Sequence, residues 1–81
     1  MDDLRQIVAR NLARAREQAG LSQSDAAKQL GIDRPRLIGM EKGERPVDVP
    51  MLVSVARLYR TDLNTLVTDL TPQLNVDVKF R

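Results

Sequence analysis

Ser-Gln-Ser-Asp-Ala-Ala-Lys-Gln-Leu-Gly-Ile-Asp-Arg-Pro-Arg-Leu-Ile-Gly-Met-Glu-Lys-Gly, residues 22–43, reads as two short helices joined by a tight turn. Ser22 is a good N-cap, and Asp25, three residues on, places a negative charge where a helix start favours it. Ala26, Ala27 and Leu30 then form an apolar face at helical spacing. Gly31 stops that helix, because glycine takes the left-handed conformation without steric cost. Ile32 is placed to pack back under the turn. Asp33 caps the second helix, and Pro35 falls in its first turn, where a missing N–H costs nothing. Leu37 and Met40 face inward, and Gly43 ends the helix.

A helix, a short glycine turn and a second helix make the helix-turn-helix pattern, in which the second helix enters the major groove of DNA. Outward from it, Leu4, Ile7, Val8, Leu12, Ala15 and Ala19 mark one face of a first helix over about residues 3–19. Arg5, Arg10, Arg14 and Glu17 take much of its other side; Gly20 ends it and Leu21 closes the core. Glu44-Arg45-Pro46-Val47 is a connecting loop. Asp48 caps a fourth helix with Pro50 in its first turn, and Leu52, Val55, Ala56 and Tyr59 are its buried stripe. Asp62 caps a fifth helix carrying Leu63, Leu66, Val67 and Leu70. Between them Arg60 stands where a C-terminal glycine would be expected, so it would take a positive φ at modest strain. Beyond Thr71-Pro72 the period becomes two. Leu74, Val76, Val78 and Phe80 alternate with Asn75, Asp77, Lys79 and Arg81, which reads as a strand. A lone strand needs a partner, another chain or another segment. The expectation is an all-α domain of five helices over residues 1–70, with a short C-terminal β-strand tail over 71–81.

Eighty-one residues make one small domain with a marginal core, of a size that gains stability by dimerising. Cysteine and histidine are both absent. Disulfides, thiolate metal sites, the commonest general base and the commonest metal ligand are therefore excluded; this argues against an enzyme, and no cofactor or metal is expected. No apolar run approaches the roughly 20 residues that span a membrane. The opening Met-Asp-Asp-Leu-Arg is too acidic and polar for a signal peptide, so a soluble cytoplasmic protein is expected. The net charge is only +2, but residues 1–45 hold nine Lys/Arg against seven Asp/Glu, whereas residues 46–81 hold four of each. The excess thus lies with the helix-turn-helix; it favours nucleic acid, or is a solvated surface of mixed charge.

Gly-Leu-Ser-Gln-Ser-Asp-Ala-Ala at 20–27, Leu-Gly-Ile at 30–32, Met-Glu-Lys-Gly at 40–43 and Leu-Val-Ser-Val-Ala-Arg-Leu-Tyr at 52–59 resemble the Cro/C1-type (XRE) helix-turn-helix family. The resemblance covers residues 4 to about 70, all five helices in order. It implies a lambda-repressor-like domain that binds double-stranded DNA, commonly as a homodimeric transcriptional repressor on a palindromic operator. The Gly-Glu-Arg-Pro-Val loop and the Ala-Arg-Leu-Tyr that follows look most like members linked to a zinc-peptidase partner. Gln23 matches the family glutamine at the start of the second helix, where its amide meets a DNA phosphate or is an ordinary exposed polar group. Arg16 and Glu41 match the family's arginine–glutamate pair, a structural tie between the first and third helices.

The groove-facing positions of the third helix are Arg34, Pro35, Ile38 and Gly39, with Arg36 beside them. Arg34 can reach guanine O6 and N7 or a phosphate; Arg36 can do the same or only flank the backbone. Pro35 and Ile38 offer apolar contact to a thymine methyl, or Ile38 is merely surface, and Gly39 offers close approach alone. Lys42 and Arg45 flank the groove as phosphate contacts or solvated charges. In the strand tail, Leu74, Val76, Val78 and Phe80 would pair with the same segment of a second chain to form the dimer, or the tail is a disordered end. The alternative to DNA is a protein-interaction module on the same fold. It would grip a cognate protein, such as a toxin or peptidase, through the apolar surface of the third helix or the tail.

Overall fold

A computed structural model describes residues 3–69 of the chain. They form five helices: α1 Leu4–Gln18, α2 Gln23–Leu30, α3 Arg34–Lys42, α4 Val49–Tyr59 and α5 Leu63–Val67. All five open alike. The side chains of Asp3, Ser22, Asp33, Asp48 and Asp62 accept from the backbone N–H three residues on, at 2.7 to 3.0 Å. Each such bond satisfies an N–H that the helix leaves unpaired. At Asp62 the Thr65 N–H holds the carboxyl below its ordinary pKa.

The ends of α1 to α4 share a geometry too. Gly20, Gly31 and Gly43 have φ of 76° to 78°, and Arg60 has φ 57°. The next N–H then turns back to a carbonyl five residues earlier: Leu21 to Arg16, Ile32 to Ala27, Glu44 to Gly39 and Thr61 to Ala56, at 2.9 to 3.2 Å. The positive φ expected of Arg60 is present, and costs an L-residue about 1–2 kcal/mol.

α1 packs against α3, α4 and α5, while α2 lies on α3 and α4, and α4 on α5. Leu12, Leu37, Val55, Met40 and Leu66 are fully buried where these helices meet. The buried stripe of α1 is Val8, Ala9, Asn11, Leu12, Ala15 and Arg16, not quite the expected one. Leu4, expected inside, is 59% exposed, and Ala19 is exposed as well. They stand at the two ends of the helix, and Leu4 lines an open, mostly apolar groove with Val8, Val47, Leu52 and Val67.

Asn11 serves the end of α5 from α1. It is only 3% exposed. Its amide nitrogen donates toward the carbonyls of Thr65, Leu66 and Thr68 at 3.2, 2.9 and 2.8 Å. These are carbonyls that the end of a helix leaves without partners. The Thr68 hydroxyl donates to the Asn64 carbonyl at 2.6 Å, and Thr68 itself is extended, with ψ 138°. Leu70, expected on this helix, and the strand of residues 74–80 lie outside the described residues. No strand occurs among the described residues.

Replacing Asn11 by Ala should therefore destabilise the domain by about 1–3 kcal/mol, since buried carbonyls lose their donor. Urea unfolding measures the loss, and hydrogen exchange should show the amides of α5 opening first.

Candidate nucleic-acid interface

One polar network holds the three helices that frame the interface. Arg16 of α1 donates from Nε to Glu41 Oε2 at 2.7 Å and from Nη2 to Glu41 Oε1 at 3.2 Å. Its Nη1 donates to the Leu21 carbonyl at 2.8 Å. Gln23, first residue of α2, donates from Nε2 to Glu41 Oε1 at 3.1 Å. The two charged side chains are only 11% and 5% exposed. Hydrogen bonding to Glu41 raises the Arg16 pKa further, against the opposing pull of burial. The guanidinium plane matches both carboxylate oxygens, which a lysine could not do. Thus α1, the turn before α2, α2 and α3 meet at one carboxylate.

That carboxylate faces inward, with Leu37 and Met40. The outer arc of α3 begins beside Glu41, which lies at i+7 from Arg34 and i+3 from Ile38. Arg34, Ile38 and Lys42 follow one another at i, i+4 and i+8, a single line along the helix, with Pro35 beside them. Arg34, Pro35, Arg36 and Lys42 are exposed and Ile38 is half-buried. Arg45 is exposed in the loop that follows. Two carboxylates of α3 and its cap are occupied otherwise: Asp33 caps α3 through the Arg36 N–H, and Glu41 holds Arg16; Glu44 is exposed in the loop. The cations Arg34, Arg36, Lys42 and Arg45 are exposed on α3 and its loop, beside Pro35, half-buried Ile38 and the exposed carboxylate-bearing Glu44.

Gly39 departs from the groove-facing set expected from the sequence. It is buried, and the Arg45 stem covers it. A Cβ at this position would stand 2.5 Å from Cγ of Arg45, and the Gly39 carbonyl accepts the Glu44 and Arg45 N–H groups at 2.9 and 3.1 Å. The reason is the loop, which folds back across α3 once Gly43 has ended it. Sequence reading also missed Asn11, although Val8, Asn11 and Ala15 share the i, i+3, i+7 spacing of a buried face. Leu74, Val76, Val78 and Phe80 lie outside the described residues.

Behind the network sits Tyr59. Its hydroxyl is buried and has no hydrogen-bond partner among the described residues. Burial, aided by the Glu41 charge and opposed by that of Arg16, pushes its pKa up to about 12. Among the described residues no cluster of acidic side chains could hold a metal ion, and no helix is long and apolar enough to cross a membrane.

Two tests follow from this interior. Glu41→Ala should cost about 3 kcal/mol, because it strands a buried guanidinium, and Arg16→Ala should recover part of that loss when the two are combined. Urea unfolding of the three variants checks it, and additive, near-zero shifts would refute the coupling. For Tyr59, the folded-state pKa lies above the ordinary value of 10, so its contribution is complete below pH 10 and disappears as pH rises through about 12. Tyr59→Phe should therefore resist alkali better than the wild type, read as the change in urea midpoint between about pH 9 and about pH 11.

Comparison with known proteins agrees with this geometry. The family model described as a helix-turn-helix domain matches residues 7–68. Among solved structures, the chain is similar to the clp gene regulator ClgR from C. glutamicum, with 20% identity, TM-score 0.77, and coverage of 82% of this chain and 85% of that one. It is similar to the restriction-modification controller protein C.AhdI from Aeromonas hydrophila, with 28% identity, TM-score 0.70, and coverage of 75% and 92%. It is also similar to the hypothetical transcription factor NHTF from Neisseria, with 24% identity, TM-score 0.79, and coverage of 91% and 85%. No curated protein matches the chain significantly. With its five helices, its inward Arg16–Glu41 pair and the family match over residues 7–68, the chain belongs to the helix-turn-helix domain family of DNA-binding transcription regulators, of the Cro/C1 type.

Proposed function

We propose that this chain is a transcriptional repressor that binds double-stranded DNA as a homodimer on a palindromic operator and blocks polymerase there. The observation that carries the reading is the outward line Arg34, Ile38, Lys42 on α3, a helix that Glu41, at the edge of that line, ties to Arg16 of α1. A helix presented in this way fits the major groove, and its N-terminal residues lie nearest the bases. Arg34 reads guanine through two parallel N–H donors. Pro35 and Ile38 supply apolar contact, and Arg36 flanks the strand. Lys42 and Arg45 hold phosphates. Gln23 spends one amide N–H on Glu41, and its second N–H is available to a phosphate at the start of α2. Likeness to a controller protein of a restriction-modification system, at 28% identity, supports a regulatory role. Two recognition helices about one DNA turn apart would follow from a two-fold dimer. The alternating residues Leu74, Val76, Val78 and Phe80 are the proposed self-pairing segment, on their sequence pattern alone.

A second reading is capture of a cognate protein partner, and one observation favours it. The open groove of Leu4, Val8, Met40, Val47, Leu52 and Val67 is mostly apolar, with Arg5 and Arg45 also in its lining. Salt separates the two. Phosphate binding makes log K fall by about 0.9 per phosphate for each unit of log salt, whereas an apolar protein interface shows little of this.

Arg34→Ala should cost about 1–3 kcal/mol on the duplex recovered by selection from a random pool, and much less on unselected duplex. Fluorescence anisotropy measures both affinities. Equal losses would make Arg34 a phosphate contact, not a base reader.

A further inference from the structure

Gly39 is the one glycine inside a described helix, and glycine is the poorest helix former after proline. The other three described glycines end helices at positive φ, a conformation that suits them; Gly39 does not. Conformational freedom is therefore not what its position uses. What it provides is space. The Arg45 stem lies across it, and a Cβ at 39 would stand 2.5 Å from Arg45 Cγ, 3.5 Å from Cβ and 3.7 Å from Cδ. The Arg45 backbone cannot easily withdraw, because its N–H is bonded to the Gly39 carbonyl at 3.1 Å and the preceding N–H to the same oxygen at 2.9 Å. A methyl at 39 must then be accommodated by turning Arg45 about its Cα–Cβ bond. That rotation moves Cγ and every atom beyond it, the guanidinium included.

We infer that Gly39 is a positioning residue for Arg45. It seats the arginine stem against α3, at the rim of the groove lined by Leu4, Val8 and Val67, and the cation so held is the one that the reading above assigns to a DNA phosphate. This rests on the DNA-binding reading above. It assigns to Gly39 a role in binding that involves no contact with DNA, and it ties the loop and α3 into one surface. A phosphate contact is uniform over sequences, so random-sequence duplex is a sufficient probe.

The test is a salt series of anisotropy titrations on a random-sequence duplex, with wild type, Gly39→Ala, Arg45→Ala and the double variant, together with the melting temperature of each. Arg45→Ala should flatten the slope of log K against log salt by about 0.9 per chain bound. Gly39→Ala should flatten it by the same amount, and the double variant by no more. Alanine is the better helix former, so the melting temperature of Gly39→Ala should match or exceed that of the wild type. If it melts lower, the double variant should recover that loss, since the clashing stem is gone. A Gly39→Ala slope equal to that of the wild type, or losses that add in the double variant, would overturn the inference alone. A wild type that fails to bind the duplex would overturn the DNA reading, and the inference with it.

Discussion

Arg16 carries a permanent charge into the junction of α1, α2 and α3, and Glu41 is the group that makes this tolerable. An isolated buried ion costs several kcal/mol, and only a partner with matched geometry offsets it. The guanidinium fills both carboxylate oxygens and still has a donor for the Leu21 carbonyl. The geometry therefore has few alternatives: α1 must lie where Arg16 reaches α3, and the turn before α2 must bring a carbonyl to the same place. Such a pair contributes little net stability compared with an apolar substitute. What the bonds show here is a tie: through Glu41, α3 is joined to both α1 and α2.

Much of the fold was legible because it is written in short-range chemistry. Ser22, Asp33, Asp48 and Asp62 announce helix starts through side chains that compete for nearby N–H groups, and each is found capping. Gly20, Gly31 and Gly43 announce ends, and even Arg60 was legible from the place it occupies. The bounds of α2 and α3 are those read from the sequence. The Arg16–Glu41 tie, by contrast, came from family resemblance, since nothing local pairs two residues that are 25 positions apart.

What escaped was long-range. Asn11 reads as a polar interruption until the end of α5, more than 50 residues later, is seen to need a donor. Gly39 reads as a bare spot on the recognition helix until the loop folds Arg45 over it. In both, the residue is chosen by a segment whose position only the tertiary structure supplies. Arg34, Pro35, Ile38 and Lys42 were easier, because helical periodicity alone puts them on one outward line.

The bond from Asn11 to α5 joins the first and the last of the five helices. Chains emerge from the ribosome N-terminus first, and small domains close as units. α1 is made first, yet its partner Leu66 and the carbonyls that Asn11 serves are made last among the five helices. A nascent chain of four helices would hold Leu12 without Leu66 above it and an asparagine amide without acceptors. The described core therefore lacks Leu66, and the Asn11 amide lacks its acceptors, until α5 has been made.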